Sequence, residues 1–462
     1  MGYIAFFSSI ILTIISIKDN KGKIVMPKTL FYLLWSFILF LSILNLYNII
    51  KPSSLAYILV ILMLVFYFIG DYLAKYKIKK IPLHKKVSNV IEKIINSFNR
   101  VRKKYNKEPK YIIIYILAAL VIIFTLIDCA IVIKHLLDGV PMYKIRRWRM
   151  GAYGIDSNPI LDRRTFAEEI FRSVILSPFE TLMPPIAAYT CFKEKEKKSN
   201  KYILLVLSII ILGLSSLAGG GGRLGFIYYF GSFLLAFLVS LKNNNKIDAK
   251  KCIKYILIIL IIGFVAIICL TKFRTTSSFF KQVYTYFAMP PTLLSLWLPK
   301  ITEVEHTYGL LTTFGIHSYI FRGFDAIGLD FLVPNIYNNT FQHLLNAEKF
   351  IQAGFGVANA FVTPIYYFMI DGGIPFVCFA SMFFGYIISK FYNALINKID
   401  IKKFVLYTLI MYGIFLTFIR IQTAIPSFII SFIFAIILLD TVEEEKTEEG
   451  RKKTWKKKKS HS

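Results

Sequence analysis

The sequence predicts an all-α polytopic membrane protein of about eleven transmembrane helices, with the N-terminus outside and the C-terminus inside. Three observations lead there. Of 462 residues, 56% are hydrophobic and only 18% charged, and the mean hydropathy is +0.58, too apolar for a set of soluble domains. Runs such as 202–217 and 252–270 carry no ionised side chain in their middles and are long enough to cross about 30 Å of hydrocarbon at about 1.5 Å per residue. The formal charge of +29, from 56 basic against 27 acidic residues, must therefore lie between spans, and a nucleic-acid binder is excluded.

In chain order the predicted spans are 3–17, 30–50, 55–72, 111–133, 173–192, 202–218, 224–241, 252–270, 374–392, 404–419 and 426–439, and 357–369 is a further element that enters the membrane without crossing. The N-terminal part, 1–133, includes an amphipathic helix over 85–104. There Val87, Val90, Ile91, Ile94, Ile95, Phe98 and Val101 recur at helical spacing, with Lys85, Lys86, Lys93, Arg100 and Lys103 on the remaining surface, as on a helix held to an anionic leaflet. A first outer loop, 134–172, has 39 residues and a second, 271–357, has 87. Between them lie the central spans, 173–270, with a glycine-rich outer turn at 219–223. The C-terminal spans occupy 358–439. The tail 440–462 has an acidic and then a basic block without apolar periodicity, so it is expected to be disordered. Met1 and Gly2 precede the first apolar run without a basic flank, which argues against a cleaved signal peptide.

Orientation follows from lysine and arginine. The segments 18–29, 73–110, 193–201, 242–251, 393–403 and 440–462 together hold 37 basic residues, against 17 in the opposite set. Ten of the thirteen arginines fall in that smaller, outer set: Arg146, Arg147, Arg149, Arg163, Arg164, Arg172, Arg223, Arg274, Arg322 and Arg420. Only seven of the 43 lysines join them. The orientation rule treats both residues alike and cannot produce this segregation. A guanidinium grips phosphate or carboxylate with two parallel hydrogen bonds, so the pattern points to an anionic ligand, a phosphate above all, at the outer face. The alternative is lysine filling unselected inner loops.

Several local patterns refine this expectation. Large outer loops suit an enzyme with a large substrate better than a channel. The second carries Tyr284, Tyr286, Phe287, Trp297, Tyr308, Phe314, Tyr319, Phe321, Phe324 and Phe331, which suit an interfacial fold and also offer stacking faces for sugars. Gly220 to Gly225 satisfies GxGxxG formally, but no strand flanks it and no dinucleotide site is expected. Instead, small residues would admit a ligand close to the backbone, with Arg223 at a positive helix end; the alternative is a tight turn whose arginine snorkels to headgroups. Asn359, Thr363, Tyr367 and Asp371 recur at four-residue spacing, a polar stripe expected to line a wet cavity, although Asp371 could instead cap the next span. The five cysteines, 129, 191, 252, 269 and 378, lie in or at span ends without metal-like spacing. Glu303, Glu305 and His306 form E-x-E-H, a weak metal signal that the arginine set makes unnecessary, so no metal or other cofactor is expected.

Taken in order, the glycine turn ending in Arg223, Tyr284-Thr-Tyr-Phe-Ala-Met-Pro-Pro, His306-Thr-Tyr-Gly-Leu-Leu-Thr-Thr-Phe-Gly, Asn359-Ala-Phe-Val-Thr, Asp371-Gly-Gly-Ile-Pro and Gly385 resemble the oligosaccharide repeat-unit polymerases, the Wzy type of O-antigen and capsule synthesis. The resemblance covers roughly 200–395. The N-terminal third matches only as a pattern of spans, and at 371 the family more often has an aromatic residue before the glycine. It implies a GT-C-like, metal-independent glycosyltransferase of the bacterial cytoplasmic (inner) membrane, with its site facing the periplasm or exterior. The donor would be a growing glycan on undecaprenyl pyrophosphate, the acceptor a lipid-linked repeat unit, with room for a chain-length regulator as partner.

Such a transfer needs cations for the departing pyrophosphate and a base for the attacking hydroxyl. The expected catalytic residues are Arg223, Arg322, His306 and Asp371, His306 leading as base over His317, His343, Asp325 and Asp330 because it lies in the family-like segment and titrates near neutral pH. Arg146, Arg147 and Arg149 are expected to form an outer funnel. Substrate contacts are also expected from Arg274, Tyr284, Tyr308, Asn359, Thr363, Tyr367 and Arg420. An O-antigen ligase, differing in its acceptor, and a lipid-linked oligosaccharide flippase are the alternatives. A flippase would need cations deep within the spans, where the sequence offers the acids Asp128 and Glu180.

Overall fold

The structure, a computed structural model, describes residues 1–20, 25–75, 110–142, 144–145, 165–193, 196–219, 222–243, 257, 261, 263, 265, 268–269, 279–354, 357–358, 361–396 and 399–439. These are almost wholly helical. The helices are α1 (Gly2–Asp19), α2 (Pro27–Leu44), α3 (Ser54–Lys75), α4 (Tyr111–Leu137), α5 (Phe166–Phe171), α6 (Ser177–Phe192), α7 (Lys198–Ala218), α8 (Leu224–Asn243), α9 (Phe279–Ile301), α10 (Phe314–Ala326), α11 (Tyr337–Asn346), α12 (Thr363–Leu395), α13 (Ile401–Phe415) and α14 (Pro426–Leu438). A two-residue antiparallel pair, β1 (Ile351–Gln352) and β2 (Val357–Ala358), closes a small hairpin.

Local signals set several of the boundaries. Pro27 and Pro426 stand in the first turns of α2 and α14, where a missing N–H is harmless. Thr165 accepts from the Glu168 amide at the start of α5, and Asp400 accepts from the Lys403 amide at the start of α13, each satisfying an orphan helix donor. Asn45, with φ 47°, ends α2, so this span stops six residues short of the expected 30–50. α13 likewise gives way at Leu416–Phe418 to a 3₁₀ turn.

Among the described residues, eight helices are long and apolar enough to cross a membrane, against eleven expected. The predicted 173–192 is a helical run interrupted by a π-helical turn at Arg172–Leu176 and carrying Pro184 and Pro185 inside α6. The predicted 426–439 is the 13-residue α14. The predicted 252–270 lies outside the described residues apart from six positions, as do the amphipathic helix 85–104, the tail 440–462 and most of the first outer loop. The segment read as the second outer loop is, where described, folded into α9, α10, α11 and the hairpin, a platform over one end of the bundle.

Two apolar cores run through the bundle. One joins α1, α2 and α3 to α9 and α12 around Trp35, Tyr67 and Tyr366; the other joins α4, α6, α7, α8, α13 and α14 around Phe179, Phe404 and Tyr407. The closest crossing is α3 on α12. A Cβ added to Gly70 would lie 1.9 Å from the Met382 carbonyl oxygen, and one added to Gly385 would lie 2.3 Å from that of Tyr67. Backbone meets backbone here, as in small-residue membrane crossings.

Segments given the same charge-based side come together at the same end. Tyr407 donates to the Val25 carbonyl at 2.7 Å, Tyr189 to that of Ile399 at 3.2 Å and Tyr115 to Asn200 at 3.0 Å. At this end Lys28, almost fully buried, meets Asp19 and Asp71, and Lys75 meets the same two carboxylates. Two cations and two anions in one ring make burial tolerable, since a lone charge there would be strongly destabilising. At the opposite, platform end, the Ser53 amide donates to Ser295 Oγ at 2.9 Å and Ile50 to the Ala353 carbonyl at 3.3 Å.

Helix α12 is two helices joined at a break. Gly372 has φ 178° and ψ 30°, and Gly373 has φ 67° and ψ −160°, a left-handed conformation that favours glycine. Before the break, residues 363–371 are buried within the protein; after it, Ile374, Phe379 and Phe383 are exposed on a span-length segment, in agreement with the expected 374–392. The expected element 357–369 is corrected by this geometry: it starts as strand β2 and becomes helical only at Thr363.

Replacing Gly385 with leucine should drive a side chain into the α3 backbone and destabilise the fold by about 3 kcal/mol or more. Thermal unfolding in detergent, with Gly231→Leu as a control at a glycine with open space beside it, measures this.

Candidate functional site

The platform end carries three groups of polar side chains. The first is built on the glycine turn. Ser216, in the last turn of α7, donates its hydroxyl to the Gly222 carbonyl at 3.1 Å and accepts the chain back toward α8. Arg223 follows immediately before α8, but its side chain is buried and does not reach outward as the headgroup alternative required. Its Nη2 donates to Gln282 Oε1 at 3.0 Å and to the Tyr286 hydroxyl at 3.3 Å, and the guanidinium lies 4.9 Å from the centre of the Tyr286 ring. Gln282 and Tyr286 are four residues apart on α9, so one helix face grips the arginine.

Arg223 lines a cavity of about 300 Å³ between α6, α7, α8, α9 and α13. Its walls are largely apolar, with Ile211, Leu212, Leu224, Ile227, Val283 and Phe287, while Glu180, Thr181, Ser215 and Tyr228 add polar atoms. Tyr412 and Phe418, the latter two residues before Arg420, also line the space. Arg420 itself is ion-paired with Glu348. The arrangement combines a largely apolar chamber with a guanidinium in its wall, suited to an anion that carries a hydrocarbon tail.

The second group surrounds the break in α12. Asp371 is fully buried, and its carboxylate accepts from the Thr307 hydroxyl, the Leu311 amide at 3.0 Å and the Thr312 amide at 2.9 Å. Its carbonyl accepts from the Tyr308 amide, also at 3.0 Å. The carboxylate therefore holds the 307–312 loop and neither faces solvent nor caps the second half of α12, as the capping alternative supposed. His306, one residue earlier, directs Nδ1 at the Ile370 carbonyl, 3.2 Å away. A carbonyl can only accept, so Nδ1 is the donor in this bond, and the tautomer that the bond selects has its lone pair on Nε2. Tyr308 is exposed, with φ 51°.

The third group is a polar cleft of about 310 Å³ lined by Glu169, Arg172, Ser173, Ser177, Tyr319 and Arg322. Arg172 is held by Asp128 at 2.8 Å, Glu168 at 2.8 Å and the Phe124 carbonyl at 3.2 Å. Asp128, one of the acids read as deep in a span, is thus one half of an ion pair. Arg322 is exposed and lies 5.1 Å from the Phe341 ring centre.

Several expected contacts prove to be internal ties. The Tyr284 hydroxyl donates to the Leu41 carbonyl at 2.8 Å and accepts from the Leu46 amide at 2.7 Å, pinning α9 to the end of α2. Thr363 and Tyr367 are buried, the Thr363 amide donating to the Ile419 carbonyl at 3.0 Å. The polar stripe 363, 367, 371 is therefore packed inside protein. Of the base candidates, His317 donates Nε2 to the Leu310 carbonyl at 2.9 Å, and burial holds its pKa, like that of His343, below the usual histidine value. Asp325 and Asp330 are exposed. Glu303, Glu305 and His306 do not converge, and among the described residues no group of three His, Cys, Asp or Glu side chains could hold a metal. Arg146, Arg147, Arg149, Arg274 and Asn359 lie outside the described residues.

The predicted set is thus divided: Arg223 in the cavity wall, Arg420 paired with Glu348, His306 with Asp371, and Arg322 in the third cleft. Sequence reasoning missed Gln282, Tyr286, Glu180 and Thr307. Tyr286 stood inside the quoted Tyr-Thr-Tyr-Phe segment and Glu180 among the deep acids, whereas nothing local marked Gln282. Compared with protein-family models, with curated proteins and with solved structures, the chain matches none.

Asp371→Asn should replace one acceptor by an amide donor facing a loop N–H, destabilising the platform by about 2 kcal/mol and raising hydrogen exchange at 307–312 while leaving α7 and α8 protected. Exchange mass spectrometry on the purified protein reads both regions.

Proposed function

We propose that the chain is a polysaccharide polymerase that transfers a growing glycan from undecaprenyl pyrophosphate to a lipid-linked oligosaccharide repeat unit, at the outer face of a bacterial cytoplasmic membrane. The observation that carries the proposal is Arg223 buried in the wall of a largely apolar cavity, together with the concentration of arginine on the segments read as outer and the ordered motif resemblance. A polyprenyl pyrophosphate has the two chemistries that such a chamber offers to satisfy.

In the proposed reaction an acceptor hydroxyl attacks the anomeric carbon of the donor sugar. The bond from that carbon to the pyrophosphate oxygen breaks, and the lipid pyrophosphate leaves with the electron pair. Arg223 stabilises the charge gathering on the leaving group. His306 takes the hydroxyl proton at Nε2, its Nδ1–H remaining donated to the Ile370 carbonyl. Asp371 acts through the loop it holds, and the cleft at Arg322 is assigned to the glycan. The GT-C-like fold, the outside N-terminus and the service to O-antigen or capsule synthesis belong to the same proposal.

Resolving the surface glycan of cells as a ladder tests it. Deletion of the chain should leave single repeats and abolish longer products, whereas loss of all surface sugar would indicate a flippase or ligase. Arg223→Ala should reduce polymer by about 10²-fold in a protein that still folds, and Arg223→Lys should recover little, because a point charge cannot reproduce the planar fork. A normal ladder in Arg223→Ala would remove this residue from the mechanism.

A further inference from the structure

Helix α10 has two apolar faces, and only one of them is covered. Phe314 is buried and stacks on Tyr337 and Phe341 inside the platform, and Gly315 lies against the backbone of residues 423–425, where a Cβ would meet the Thr423 carbonyl oxygen at 2.6 Å. On the other side Ile316 is 56% exposed, Ile320 53% and Ile327 69%. Their spacing of four and then seven residues keeps them on one stripe. The helix ends in a turn at Gly328, φ 74°, with the Leu329 amide bonded to the Phe324 carbonyl at 2.8 Å and the Gly328 amide to that of Asp325 at 3.1 Å. That turn delivers Phe331, 81% exposed, just beyond the stripe. Three branched aliphatic residues and an aromatic in water would form an apolar patch that needs a partner.

The neighbouring span supplies the reason for the stripe. α10 packs on α14 and on the 3₁₀ turn Gln422–Ala424 that leads into it. α14 has 13 residues, about 20 Å of helix, which falls short of about 30 Å of hydrocarbon by some 10 Å. On α14 itself Ile433 and Ile437 are exposed as well, so both of these packed helices present apolar side chains outward. Arg322 and Asp325 stand off the stripe and are exposed, as an interfacial helix requires of its polar side.

We infer that α10 lies in the membrane surface at the platform end, its 316, 320, 327 and 331 side chains in lipid, and that it completes the apolar height which α14 lacks. The platform is thereby anchored to the bilayer beside the polar cleft that Arg322 lines, so a substrate reaching that cleft arrives at headgroup depth. This inference is independent of the reaction proposed above.

The full-length protein in lipid nanodiscs, photolabelled with a phospholipid bearing a diazirine near the glycerol, one bearing it at the acyl terminus, or a water-soluble diazirine, tests it by peptide mass spectrometry. Residues 314–332 should be tagged chiefly by the shallow lipid probe. Ile320→Glu, at an exposed position, should lower that tagging several-fold without changing thermal unfolding, and Ile320→Leu should retain it. Tagging by the aqueous probe alone would overturn the inference, as would protection from all three probes, which would mean that protein covers the stripe. Unchanged lipid tagging in Ile320→Glu would also overturn it.

Discussion

The buried carboxylate of Asp371 is the constraint from which the platform is organised. A span that ran unbroken through 363–395 would carry its polar face into lipid. Instead the chain breaks at Gly372–Gly373, where φ of 67° suits glycine, and the carboxylate just before the break gathers one hydroxyl and two amides from 307–312. A buried carboxylate is strongly destabilising unless donors surround it, so the loop and the break require each other. The same junction fixes His306 on the Ile370 carbonyl and sets the start of α10, whose position against residues 423–425 depends on Gly315.

Charge inside the bundle is held by specific partners. Lys28 and Lys75 are matched by Asp19 and Asp71, Arg172 by Asp128 and Glu168, and Arg420 by Glu348. Each set pairs its cations with carboxylates and ties chain segments together, and removing one partner of a buried pair would be strongly destabilising. Arg223 is held by the Gln282 amide oxygen, the Tyr286 phenol and the Tyr286 ring face, in a cavity wall that Glu180 also lines. Gln282 and Tyr286 keep it in a largely apolar chamber, where its field on an incoming anion is screened less than in water.

Much of this was legible in the sequence, and the parts that were not have physical causes. Most spans could be read because lipid enforces long apolar runs, and the segregation of arginine from lysine marked the platform side. Span ends were misjudged where a single backbone conformation decided them, as at Asn45, or where apolar residues continue past the helix, as after Phe415. Thr363, Tyr367 and Asp371 were correctly read as sharing a face, but periodicity cannot say whether a polar face meets water or a loop from sixty residues away. Tyr284 looked like a ligand residue and is a brace, because its partners are the Leu41 carbonyl and Leu46 amide, groups that every residue carries and no motif records. Gln282 gives no signal until α9 places it four residues before Tyr286 and against Arg223.

The central claim, that the chamber containing Arg223 acts on a lipid-linked pyrophosphate, is most directly tested with purified protein and a synthetic polyprenyl-pyrophosphate repeat unit, without nucleotide, resolving products by mass. The account predicts a ladder of lipid-linked oligomers in steps of one repeat, with lipid pyrophosphate released in step with each addition. A folded protein that leaves the repeat unit unchanged, or hydrolyses it without extension, would contradict it.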